Sequence, residues 1–149
     1  MYLSRETLTL DALVVEQEHV LQTIQDLSVW WAEAGTSESP PFDALCCKVH
    51  DLRVALANHF QHEEAGEHAA VERGDAGATQ DHLDRLVRIH ALFLADLDLM
   101  TARLRAAQPG TEHESDVSKA FAGFLSRLKR HEDEQMHVLR EISETPTGV

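Results

Sequence analysis

Three short breaks divide this chain into four long segments, and they constrain its fold more than any other feature. Gly35-Thr36-Ser37-Glu38-Ser39-Pro40-Pro41, Gly74-Asp75-Ala76-Gly77 and Pro109-Gly110-Thr111 combine proline, glycine and small polar residues that cannot continue a helix. The segments between them predict helices over about 5–34, 43–73, 79–107 and 115–143, with Thr79 and Ser115 as N-caps. Short connections make consecutive long helices antiparallel, so the expected fold is an all-α, up-down-up-down four-helix bundle. Residues 1–149 are expected to form one domain of this kind, with Thr145 to Val149 fraying.

Composition agrees with helices. Four prolines, seven glycines and 5% aromatic residues leave little for a strand-and-turn architecture. A formal net charge of −13, with no local Lys/Arg cluster, would repel nucleic acid and anionic membranes, so neither is an expected partner. No apolar run approaches the roughly 20 residues of a membrane span, and the N-terminus lacks the basic-then-apolar order of a signal peptide. A cytoplasmic location is expected. Cys46 and Cys47 are sequence neighbours whose side chains diverge on a helix, and they read as two small hydrophobes without an assigned role.

The inward stripes of these helices are interrupted by residues that can ligate metal. In the second helix, steps of three and four pass through Leu45, Val49, Leu52, Leu56, His59, Glu63, Gly66 and Ala70. The fourth repeats the pattern through Val117, Phe121, Phe124, Leu128, His131, Gln135, Val138 and Ile142. The third runs His82, Leu86, Ile89, Phe93, Leu97, Met100 and Leu104. In the first, Leu13, Val20, Ile24, Leu27 and Trp31 form the stripe, and His19 borders it.

One histidine in such a stripe is more often a hydrogen-bonded core residue than a ligand. Four of them on four helices would leave several buried polar groups to satisfy, at a cost a marginally stable domain does not bear, and a metal would satisfy them together. His59 and Glu63, four apart, present an imidazole and a carboxylate to one point. Imidazole with carboxylate suits iron or manganese, with zinc a further candidate. His50, His62, His68, His90, His113 and His137 fall off the stripes or near their edges and are expected to be exposed or half-exposed, with a small helix rotation enough to bring His62 or His137 towards the site.

These residues, taken as Glu18-His19, His59-Phe60-Gln61-His62-Glu63-Glu64, Asp81-His82 and His131-Glu132-Asp133-Glu134-Gln135, resemble the motifs of the hemerythrin-like, or HHE cation-binding, family in order and separation. The resemblance covers nearly the whole chain. It implies a hemerythrin-like bundle with a non-haem di-iron centre, His19, His59, His82 and His131 as terminal ligands and Glu63 as a bridge. The expected small ligand is dioxygen or another diatomic molecule, bound or sensed, with nitric-oxide stress or iron handling as the alternative role. No protein partner is implied.

Gln135 stands where the family has a second bridging glutamate, and Glu134 beside it is the alternative ligand. Without a carboxylate there, one iron instead of two is the fallback. Leu86 occupies the position of a further histidine found in oxygen carriers. Two other readings compete. Glu16-x-x-His19 and Glu134-x-x-His137 match the Glu-x-x-His of ferritin-like carboxylate enzymes, and a metal-free bundle could serve as an interaction module. No nucleophile-base pair or phosphate-binding loop is present, which favours a binding protein over an enzyme.

Overall fold

A computed structural model describes residues 8–34, 42–106 and 112–144. It forms four helices, α1 (Leu10–Ala34), α2 (Phe42–Arg73), α3 (Gln80–Ala106) and α4 (Glu112–Glu144), with no strand among the described residues. The breaks at 35–41 and 109–111, the tail 145–149 and the start expected for the first helix before residue 8 lie outside the described residues. So do the side chains of Trp31, Leu45, His113 and Val117.

Helix ends follow from local chemistry. Thr79 caps α3 as expected, its Oγ1 accepting the His82 backbone N–H at 3.1 Å. Thr9 does the same for Ala12 at the start of α1. Ser115 does not cap α4, which is already helical from Glu112. At the end of α2, Asp75 N–H donates to Ala70 O at 3.0 Å and Gly74 N–H to Val71 O at 3.1 Å. This paired closure puts Gly74 at φ 72°, a conformation that costs glycine nothing and a β-carbon a good deal.

Each helix packs on its sequence neighbour, and α1 also packs on α4, which closes the bundle. The main core joins Val20, Ile24 and Leu27 of α1, Val49, Leu52, Leu56 and Phe60 of α2, Leu97, Met100 and Leu104 of α3, and Phe121, Phe124, Leu125 and Leu128 of α4. Each of these side chains contributes roughly 1.5–3 kcal/mol on burial. A second, smaller apolar cluster holds Leu13, Met136 and Leu139. The sequence places a polar layer between the two: Gln17 on α1, His59 and Glu63 on α2, and Glu132 and Gln135 on α4, all buried. No described helix is long and apolar enough to cross a membrane.

Candidate metal centre

The stripe of α2 is buried as its periodicity predicts, and it carries His59 and Glu63 into the bundle axis, both fully buried. From α4 come His131, half-buried, and Glu132, fully buried. From α3 comes His90, 2% exposed. These five side chains form two overlapping groups. Glu63, His90 and His131 have ligand atoms within 4.8 Å of one another, and so do His59, Glu63 and Glu132. Glu63 belongs to both.

The imidazoles are oriented from behind. His59 donates through Nδ1 to Glu16 Oε1 at 2.6 Å, and its Nε2 faces Glu132 Oε2 at 2.7 Å and Glu63 Oε1 at 3.6 Å. His90 donates through Nδ1 to Glu64 Oε2 at 2.7 Å, and its Nε2 faces His131 Nε2 at 3.0 Å and Glu63 Oε1 at 3.5 Å. An outer carboxylate on Nδ1 with Nε2 turned inward is the arrangement by which proteins fix the tautomer and direction of a metal-binding histidine. Phe60 stacks on the His90 ring at 3.9 Å between centroids and 5° between planes, holding it in place. Phe93 stands edge-on to Phe124 and lies 5.3 Å from the His131 ring, so an aromatic wall separates the polar layer from the main core.

The layer is not satisfied by protein alone. Both Glu63 oxygens and Glu132 Oε1 are buried without a hydrogen-bond partner. Burial raises the Glu63 pKa well above the ordinary carboxylate value, reinforced by the charges of Glu132, Glu67 and Glu16. Burial pulls His131 the other way, down to about 4, with the neighbouring His90 adding to the shift. For His59 burial lowers the pKa, but the hydrogen bonds and charges of Glu132 and Glu16 outweigh it and the result is a rise. Three imidazoles and two carboxylates with three orphaned oxygens form two groups, sharing Glu63, that could hold a metal ion.

Of the residues singled out in the sequence, His59, Glu63 and His131 meet here. The others do not. His19 is exposed, because the α1 stripe steps from Leu13 through Gln17 to Val20, and this turns Glu16 towards the layer and His19 away. Glu134 is exposed. Gln135 is buried, but its amide donates to Glu67 Oε1 at 2.8 Å, one turn along α2 from Glu63. His82 lies beside the same Glu67, its Nε2 at 3.0 Å.

His90, expected to be exposed or half-exposed, is the α3 contribution, since the buried stripe runs Leu83, Leu86, His90 and Leu97. On α4 the expected Phe121, Phe124, Leu128, Gln135 and Ile142 are buried, but Glu132 and Leu139 are buried beside His131 and Val138, which are half-buried. His62, expected to be exposed or half-exposed, is half-buried and donates to Glu16 at 2.8 Å. A second reading of phase, through Leu83 on α3 and Leu139 on α4, was the available signal for His90 and Glu132.

Comparison with protein-family models, curated proteins and solved structures finds no match to this chain. The centre therefore rests on its own geometry.

Proposed function

We propose that this chain is a metal-binding protein whose centre holds two irons across Glu63 and binds or senses dioxygen or a related small molecule. The observation that carries this reading is Glu63 itself, a carboxylate common to both ligand groups and left with neither oxygen satisfied by protein. His90 and His131 would hold one iron, His59 and Glu132 the other. Iron bound there would supply a redox-active Lewis acid with positions to spare for a small ligand, since each site has three protein groups. The chain's own residues do the rest. Glu16 fixes His59 and Glu64 fixes His90, and the aromatic rings with the Leu13, Met136 and Leu139 cluster make the two ends of the layer apolar.

The hemerythrin-like resemblance is part of this proposal, with an altered ligand set. Glu132 supplies the second carboxylate that Gln135 lacks, and α1 contributes Glu16 behind His59 in place of an imidazole. An up-down-up-down arrangement is supported by the α2–α3 pairs Arg53 with Asp98, Glu64 with His90 and Glu67 with His82, whose numbers run in opposite directions. A cytoplasmic location belongs to the same reading.

Metal analysis of anaerobically reconstituted protein, with an absorption spectrum before and after air, tests it. Two irons per chain and a new near-ultraviolet band in air are expected. A chain that retains no iron, manganese or zinc would overturn the reading and leave a buried polar network.

Proton release gives an independent measurement. The raised pKa values of Glu63 and His59 favour the protonated forms of groups that must lose their protons to bind metal, whereas His131, lowered to about 4, is neutral at pH 7. Metal uptake is expected to release protons. Apparent affinity should accordingly rise with pH. Titration calorimetry in buffers of different ionisation enthalpy counts these protons, and a count of zero would contradict the assignment of Glu63 and His59.

A further inference from the structure

Three outer glutamates surround the five inner groups, and one of them is placed differently from the other two. Glu16 and Glu64 each stand behind an imidazole, so a ring lies between either carboxylate and Glu63. Glu67 has no such ring. It follows Glu63 by one turn of α2 on the same face and is 2% exposed. Its neighbours are Gln135 and His82, neither of which belongs to the two ligand groups.

His82 joins this carboxylate to solvent. Its side chain is 35% exposed, yet its Nε2 is buried, makes no hydrogen bond and lies 3.0 Å from Glu67 Oε1. Metal-ligating atoms thus succeed one another from the surface inward: His82 Nε2, the Glu67 carboxylate, then Glu63. The two ends of the layer are apolar, with the main core including Phe60 and Phe124 on one side and Leu13, Met136 and Leu139 on the other, while His131 on α4 is half-buried.

We propose that His82 and Glu67 form an uptake site through which a divalent cation passes from solvent to the Glu63 centre. The proposal rests on the metal-binding reading above. A cation crossing the wall of a packed bundle needs ligands at each step, because an unpaired charge among apolar side chains is prohibitively unfavourable. A transit site must also hold the ion less firmly than its destination, so that the ion moves on. One imidazole and one carboxylate meet that condition against three groups at each inner position. Gln135 fits the same logic. Its neutral amide holds Glu67 in place by a hydrogen bond, where a glutamate would add a further carboxylate and convert a passage into a trap.

The test is cobalt(II) uptake by the apo chain, followed by stopped-flow visible absorption, together with the cobalt bound at saturation. Glu67→Gln keeps the shape and an acceptor for Gln135 while removing the charge. His82→Leu fills the same half-exposed space without a ligand atom. Glu67→Gln is expected to slow uptake by about tenfold or more, since a focused charge raises cation on-rates by that order, and His82→Leu to slow it by removing the outer ligand atom, both leaving two cobalts per chain at saturation. His137→Ala, at an exposed residue of α4, should load at the wild-type rate.

Wild-type rates in Glu67→Gln and His82→Leu would show that the pair is merely structural. Cobalt lost at saturation would show that they are ligands of the centre and not a path to it. Both results overturn the uptake site while leaving the centre intact. If the wild-type chain binds no cobalt, zinc or iron at all, the metal reading itself fails and the uptake site with it.

Discussion

Replacing Glu63 with leucine is expected to abolish metal binding at both positions and to raise the melting temperature of the metal-free chain. Glu63 is the residue common to His59 and Glu132 on one side and to His90 and His131 on the other, so its loss removes a ligand from each group. In the absence of metal the same carboxylate is a liability. It is fully buried, neither oxygen has a hydrogen-bond partner, and burial and neighbouring charge hold its pKa well above the ordinary value. Leaving such a group unsatisfied costs about 1–3 kcal/mol, and a leucine of similar size between Leu13 and the main core recovers apolar contact as well.

For a chain of this length each kcal/mol shifts the melting temperature by about 2–4 °C. The sign with pH is also fixed. Because the folded-state pKa is raised, the protonated form's contribution to stability is fully present below the ordinary carboxylate pKa and is lost as pH rises towards the folded value. Leucine has no such dependence, so the gain from Glu63→Leu should be smallest in acid and grow with pH. Calorimetric melts of the apo proteins across that range check it. A substituted chain less stable than the wild type at neutral pH would mean that Glu63 is well accommodated without metal.

His90→Leu and Glu132→Gln are each expected to lower metal content from two per chain to one, and the double substitution to abolish it. The two residues belong to different groups that overlap only at Glu63, so each should empty the position it serves. Leucine retains an apolar side chain against the face of Phe60, and glutamine retains an acceptor for His59, which limits the damage to the fold. His19→Ala and Glu134→Gln supply the comparison, since both side chains are exposed and should leave metal content unchanged. Comparable losses in all four would mean that the inward faces of α1 and α4 have been misjudged. Loss of both metals in either single substitution would instead mean that the two positions cannot fill independently.

Much of this protein was settled by local chemistry. Proline and glycine at the breaks, Thr79 as a cap and the apolar steps along α2 require four helices, and the α2 steps put His59 and Glu63 on the inward face whatever their neighbours do. That helix is the clear case because its polar pair is continuous with Val49, Leu52 and Leu56, all deeply buried.

On the other three helices most of the expected apolar steps are buried too, and packing decided which polar neighbours turn inward with them. A residue advances about 100° around a helix, close to the width of the buried stripe, so a polar residue at the border of the stripe can turn inward or outward while the same apolar residues stay buried. On α3 the choice lay between His82 with Ile89 and Leu83 with His90. Packing against Phe60 on α2 and His131 on α4 selected the second. On α4 it selected Glu132 at the layer and turned Gln135 to Glu67, while on α1 it drew in Glu16 and left His19 in water. Periodicity determined that the bundle would carry histidines and carboxylates inward. Which of them share a carboxylate depends on how each helix is rotated about its own axis, and only the fit of side chains between helices fixes that rotation.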